Sequence, residues 1–360
     1  MNEQDLNRLL QSQNETDLEA ESEKQFQQKV RRTMHRSFYG RVLGTVLLIA
    51  LLTAGLLFGA SKAADLICYD PGTEPAFLED DSWDSGAFTL LLEDTICTYF
   101  PGTYCWMLEP PQSRGFGRYS ADLLLSDPYG IHFLAGPATA QFRIGGSRLD
   151  PGHAPLFTQS MEFLDPSVPC TIPGGPEGLF PSMDSIRQEL RDLPRSAQLD
   201  VSISFPVSLS SDQAAQLINT APVRVRWLAL EGQNTSLYSQ SAGGMFLDHM
   251  RGNKLTPEAA ARYPDYFLSE DLTGQQLERC LQSRLQLLLD HPKFVALMET
   301  GFGDLISMPR LEERLAHAQE GWACYGMRLV GSPAEVEALL EEYAVEYARI
   351  NDVKLSRFEQ

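Results

Sequence analysis

Residues 42–60 read VLGTVLLIALLTAGLLFGA, nineteen consecutive positions without a charge. A helix rising ~1.5 Å per residue carries them about 28 Å, close to a hydrocarbon core of ~30 Å. Soluble core helices are rarely apolar on every side for this length. Ser61-Lys62-Ala63 resembles a small-residue cleavage site, but the 41 residues ahead of the run and the length of the run itself exceed the pattern of a cleaved signal. The stretch therefore reads as an uncleaved transmembrane anchor. Gly55 and Gly59 within it form a small-xxx-small pair through which two copies can make a weak homodimer contact.

The flanks set an orientation. Lys29, Arg31, Arg32, Arg36 and Arg41 precede the span, whereas Lys62 alone follows it before a series of acids. Positive-inside bias predicts a single-pass cell-membrane protein with a cytoplasmic N-terminus and an extracytoplasmic C-terminal part, and the same basic residues suit anionic lipid at the inner leaflet. The chain has 29 Lys and Arg against 48 Asp and Glu, a formal charge of −19. Residues 1–41 hold seven of each sign, so the whole excess lies in 61–360, together with all six cysteines. This balance argues against direct contact with nucleic acid, which is driven by neutralising phosphates with Lys and Arg.

Residues 1–41 are too few to bury a core of their own and predict a cytoplasmic helical segment. Leu6, Leu9 and Leu10 make a short apolar patch, and Phe26, Val30, Met34 and Phe38 recur every four residues along one helix face. Such a stripe has two readings, a face lying on the bilayer and a face docked on a cytosolic protein.

Beyond the span, 61–180 is punctuated by Pro71-Gly72, Pro101-Gly102, Gly145-Gly146, Pro151-Gly152 and Pro173-Gly174-Gly175-Pro176. Between these lie strand candidates at 87–99, 118–125 and 131–144, predicting a β-rich juxtamembrane region. Cys97 and Cys105 bracket Pro101-Gly102 and are the best local pair for a disulfide closing a hairpin, with buried reduced thiols as the other reading. The acidic run Glu79–Asp84 lacks the ligand spacing of a calcium loop and reads as a solvated linker.

After residue 180 the pattern is clearer. Leu199, Val201, Ile203, Phe205 and Val207 alternate as a half-buried strand; Ser210 with Gln213 forms a capping box opening a helix; Val223, Val225 and Trp227 begin another strand. A second unit closes the chain: strand 323–330, a helix capped by Ser332-Pro333-Ala-Glu335, and strand 344–354. Two βαβ units predict an α+β, ferredoxin-like domain over 181–360. Between them, 255–320 reads as a helical insertion, with Thr273 and Gln276 capping a helix whose Leu277, Cys280, Leu281, Arg284, Leu285 and Leu288 share a face. Asp290-His291-Pro292 ends that helix, and a further one starts near Pro309.

The chain has no nucleophile elbow, HExxH motif or P-loop, and Gly115-Phe-Gly117-Arg lacks the strand–helix context of a phosphate loop and reads as a turn. Asp248-His249 and Asp290-His291 set a carboxylate beside an imidazole, but adjacent residues rarely face each other, and surface or capping roles are the default. The expectation is a protein that is not an enzyme and uses no metal or cofactor.

One pattern of motifs points further. Phe26, the basic run to Arg41, the single span and Tyr69-Asp70-Pro71, followed by Phe100-Pro101-Gly102 and Gly117-Arg-Tyr119, resemble the first part of the membrane-bound sigma factor regulators of Gram-positive bacteria. Leu193-Pro194-Arg-Ser196, Val201-Ser-Ile-Ser204-Phe205, Val225-Arg-Trp227-Leu-Ala, Gly326-Met-Arg-Leu-Val-Gly331 and Asn351-Asp352-Val353 resemble their C-terminal extracytoplasmic module. The resemblance implies an anti-sigma-type regulator whose outer domain senses the envelope and whose inner helix contacts an alternative, extracytoplasmic-function-type sigma factor. No cysteine precedes Cys68, so the His-x3-Cys-x2-Cys pattern of zinc-type anti-sigma domains is missing, and the contact falls to Leu6, Leu9, Leu10, Phe26, Val30 and Met34. The alternative is an envelope binding or assembly module with no transcriptional role.

Overall fold

The structure is a computed structural model that describes residues 29, 31, 38–73, 77, 87–101, 104–108, 111–126, 138–150, 163, 181–231, 243–247, 254–269, 271–303 and 306–355. It is a mixed α+β protein with one long apolar N-terminal helix and two antiparallel sheets. The chain divides into two compact units, Met1–Ala63 and Ala64–Gln360.

Helix α1, Phe38–Ile67, is long and apolar enough to cross a membrane, and none of its most apolar window is buried within the protein. Its two threonine hydroxyls are satisfied inside the helix, Thr45 Oγ1 donating to Arg41 O at 2.9 Å and Thr53 Oγ1 to Ile49 O at 2.8 Å. Internal satisfaction of this kind is what hydrocarbon demands of a polar group.

The first sheet of the second unit holds β1 (Tyr104–Leu108), β2 (Gln112–Gly115), β3 (Arg118–Ser126), β4 (Ala138–Gly145) and β5 (Arg148–Asp150), with β1, β3, β4 and β5 in order and β2 also paired to β3. Phe116 and Gly117 connect β2 to β3, and Gly146 and Ser147 connect β4 to β5. All four residues have positive φ, the conformation that lets a two-residue turn follow the twist of its strands. Gly115-Phe-Gly117-Arg is therefore a hairpin turn, as its sequence suggests. A Cβ on Gly117 would lie 2.7 Å from Cys68 Sγ, so this turn also depends on the close approach of the chain leaving α1.

The stretch expected as a strand at 87–99 is instead a helix, α2 (Ala87–Tyr99). Phe88, Leu90, Leu91, Leu92 and Ile96 are all buried, and a continuous apolar run carries no period to separate strand from helix. Leucine favours helix, and thirteen residues suit a helix better than a strand. Pro101 consequently lies between a helix and a strand, so Cys97 and Cys105 do not flank a hairpin.

The second sheet has the order β10 (Tyr347–Lys354), β6 (Gln198–Ser210), β9 (Ala323–Gly331), β7 (Arg224–Leu230), β8 (Gly244–Phe246), with every neighbouring pair antiparallel. Helix α4 (Ser211–Thr220) joins β6 to β7 across β9, and α9 (Pro333–Glu342) joins β9 to β10 across β6. Both helices carry the expected capping boxes, as does α6 (Gly274–Leu289) at Thr273. Helix α3 (Met183–Asp192) packs beside α9 on the same sheet.

Strand β6 is covered on both faces. Leu199, Val201 and Ile203 are buried towards the helices, but Asp200, Ser202 and Ser204 are also buried. The alternation identified the apolar face correctly from Leu199 to Phe205, but Val207 at the same spacing is 73% exposed, and the pattern wrongly implied that the polar face meets water. That polar row is paired internally: Asn351 Nδ2 donates to Ser202 Oγ at 2.8 Å, and Asp200 holds an arginine. A small separate cluster joins Trp227, Ala229, Phe246 and Tyr325 to Phe163, whose ring stacks on Trp227 at 5.3 Å.

The insertion contributes α5 (Pro257–Arg262), α6, α7 (Pro292–Phe302) and α8 (Met308–Glu320), with α6 against α4 and α8, and α7 against β5. Leu149 N donates to Thr300 Oγ1 at 2.8 Å, fixing β5 to the end of α7. Tyr69, Phe88 and Phe294 meet at ring separations of 5.9–6.4 Å, so the chain after α1, helix α2 and helix α7 share one core with both sheets.

Candidate functional site

Helix α2 carries Glu93 and Asp94 in the middle of its apolar run, and packing it against α6 forces both carboxyls out of water. From α6, Arg284 projects along the face shared by Leu277, Cys280, Leu281 and Leu288, and is itself buried. The guanidinium is held in a fixed pose: Nη1 donates to Phe246 O at 2.6 Å, Nη2 to Tyr266 O at 3.5 Å, and Cζ lies 5.8 Å from the Tyr266 ring centroid. Its Nε is 3.9 Å from Asp94 Oδ1, an ion pair too long for a hydrogen bond. Tyr266 completes the centre by donating its hydroxyl to Asp94 Oδ2 at 2.7 Å.

Burial pushes the Glu93 carboxyl up to about 7, with the Arg284 charge opposing. The Tyr266 hydroxyl is pushed well above its ordinary value by burial and by the Asp94 charge, so it stays a donor. Burial also raises the Cys280 thiol, to about 11, against the Arg284 charge. The thiolate is the nucleophilic form, so this cysteine packs as an apolar group and does not attack. The centre can therefore hold or release one proton, on Glu93, near neutral pH.

The sign of the resulting pH dependence follows from linkage. The folded carboxyl binds its proton more tightly than the unfolded one (ordinary value 4.5), so stability is lost as pH rises from about 4.5 to about 7 and stays at the lower level above. At 1.36 kcal/mol per pKa unit the loss is about 3 kcal/mol. Urea unfolding of the full chain across this range should show that fall, and Glu93→Gln should flatten it. An unchanged slope in the variant would place the proton elsewhere.

A second buried pair lies in the large sheet. Arg328 on β9 donates Nε to Asp200 Oδ1 at 2.8 Å and Nη2 to Asp200 Oδ2 at 2.5 Å, a two-bond fork. Its remaining Nη1 donates to Pro101 O at 2.9 Å, so the turn after α2 is tied to the sheet.

All six residues read from the sequence as partner contacts, Leu6, Leu9, Leu10, Phe26, Val30 and Met34, lie outside the described residues, as do Arg32, Arg36, Asp248 and His249. Lys29, Arg31 and Arg41 are helical and exposed. Gly55 and Gly59 have open space around them within the protein. Cys97 is in α2 and Cys105 in β1, with side chains outside the described residues. Asp290 receives the Tyr263 hydroxyl at 2.7 Å, Arg262 at 2.7 Å and Gln286 at 2.9 Å, while His291 meets the edge of Phe77 at 5.6 Å. Asp290 is thus a helix-end anchor. Among the described residues, no group of three or more His, Cys, Asp and Glu is placed to hold a metal ion.

Sequence reasoning missed the Glu93–Asp94–Arg284 centre because 87–99 reads as a strand. Two signals were available: adjacent carboxylates inside an apolar run, and an arginine on the apolar face of α6. Comparison with protein-family models, curated proteins and solved structures finds no match to this chain. What the chain does is accordingly argued from its own residues.

Proposed function

We propose that the chain is a single-pass membrane regulator of an alternative, extracytoplasmic-function-type sigma factor, with residues 1–41 in the cytoplasm and 61–360 outside. In this reading 181–360 is a ferredoxin-like domain: β6–α4–β7 and β9–α9–β10 interleave in one sheet, the split βαβ arrangement, with the helical insertion between the halves. The observation that carries the proposal is where the family-like motifs fall. Val201–Phe205, Val225–Ala229, Gly326–Gly331 and Asn351–Val353 lie on β6, β7, β9 and β10 of that sheet. Arg328, inside one of these motifs, bonds the carbonyl of Pro101 from the Phe100-Pro101-Gly102 motif. Motifs scattered along the chain thus belong to one structural unit, which supports reading them together as a family pattern.

The outer unit would act as the sensor. Its buried Glu93, titrating near pH 7, supplies a group whose charge changes with envelope conditions. Signal transfer falls to the apolar stripe of Phe26, Val30 and Met34. Crosslinking of the full-length protein in native membranes, followed by mass spectrometry, should capture a sigma factor. Phe26→Asp with Val30→Asp should reduce that capture roughly thirtyfold, the effect of losing about 2 kcal/mol at an interface anchor. No sigma factor on the wild-type protein, together with unchanged transcription on deletion, would leave the envelope-module reading.

A further inference from the structure

The small sheet has two unlike faces. Tyr119, Ala121, Ile144 and Leu149 point into the core and are buried, and strand alternation puts Arg118, Arg143 and Arg148 on the other side, exposed. Arg114 on β2 joins them, donating Nε to Ser120 Oγ at 3.1 Å. These four arginines line one concavity of about 650 Å³, with Asp150 as its acidic member. They are four of the 22 basic residues in a region carrying 41 acidic ones, so a positive concavity here runs against the average of the surface.

Its position says what would occupy it. Gly117 N donates to Asp65 Oδ1 at 3.0 Å, and Tyr69 N donates to Ser147 Oγ at 3.0 Å. The Tyr119 hydroxyl meets the Asp70 carboxylate. Both hairpin turns of the arginine-bearing strands are therefore fastened to residues 65–70, which begin five positions after the uncharged run ends at Ala60. Apolar side chains are exposed on the same segments: Phe116, between Arg114 and Arg118 in the chain, is 41% exposed, and Leu66 and Ile67, between the Asp65 and Cys68 that approach Gly117, are 89% and 84% exposed. A soluble anion has no use for these, whereas a lipid interface takes both the cations and the apolar tip.

We propose that Arg114, Arg118 and Arg148 form a headgroup-binding surface for anionic phospholipid of the outer leaflet, with Phe116 entering the interface beside them. Arg143, cross-strand neighbour of Asp150, shapes the floor of the site. The proposal rests on α1 crossing the bilayer and is independent of any sigma factor contact.

Full-length protein in nanodiscs tests it, and failure to incorporate would count against the membrane span. Hydrogen exchange at 112–120 and 143–150 is compared in phosphatidylcholine discs and in discs with about 30% phosphatidylglycerol. At about fivefold in affinity per cation near an anionic surface, slower exchange is expected only in the anionic discs. The difference should disappear in Arg114→Gln/Arg118→Gln/Arg148→Gln. Because that variant could unfold the small sheet, wild-type protein is also measured in about 0.5 M KCl, which shortens screening below ~5 Å and should erase the difference. Equal exchange in the two lipids, a difference that survives the triple substitution in a folded sheet, or one that survives salt would overturn the proposal. Equivalent slowing by about 10 mM inorganic phosphate in phosphatidylcholine discs would assign the arginines to a soluble anion and overturn it as well.

Discussion

Asp200→Ala should lower the stability of the Ala64–Gln360 unit by about 3–5 kcal/mol, because it leaves a buried arginine without its counter-charge. Asp200 is 0% exposed and Arg328 only 8%, so neither charge can turn to water without moving the strands. Arg328→Met should cost a similar amount from the other side. Attraction and desolvation nearly cancel for a buried pair, so the double variant Asp200→Leu/Arg328→Met should regain most of the loss. It should not regain all of it. Pro101 O loses its donor in the double variant, a deficit of about 1 kcal/mol. Urea titration of the full chain, followed through the buried Trp227 and Trp322, gives all three values. Additive losses in the double variant would mean that the fork is not an isolated pair.

Arg284→Met should cost a comparable amount, about 3–5 kcal/mol, with a pH dependence that Glu93 introduces. The substitution removes the guanidinium that lies beside Asp94 and donates to Phe246 O. Without the guanidinium charge that holds it down, the Glu93 carboxyl moves above its wild-type value of about 7, and once it ionises two neighbouring carboxylates repel each other with Arg284 gone. The variant should therefore be closer to wild type at about pH 5 than at about pH 8, and adding Glu93→Gln should remove that difference. A penalty that is flat with pH would show that Arg284 acts through its bonds to Phe246 and Tyr266 and not through charge.

These two cases show where a sequence stops being readable. Arg284 was visible as an oddity on the apolar face of α6, but its partners sit 172 residues apart in the chain, on Asp94 and Tyr266. Asp200 looked like a solvent-facing residue of an alternating strand. Alternation reports which face is apolar; whether a second layer covers the polar face depends on segments from elsewhere, here Pro101, Arg328 and Asn351. The arginine face of the small sheet has the same character. Arg118, Arg143 and Arg148 each neighbour an inward residue, but only the pairing of β3 with β4 and β4 with β5 brings them together.

The sequence by itself determined the features with short-range causes. An uncharged run of nineteen residues makes a membrane-length helix because each residue's transfer to hydrocarbon is a local matter. Ser210, Thr273 and Ser332 start their helices because a cap is a bond across three residues. Strands β6, β7, β9 and β10 and helices α4 and α9 followed from alternation and stripes of the same local kind. Tertiary structure alone decided that 87–99 is a helix, since an apolar run has no period to read and packing chose for it. It also decided which charges are buried together, because desolvation depends on every layer around a group and not on the residues beside it in the chain.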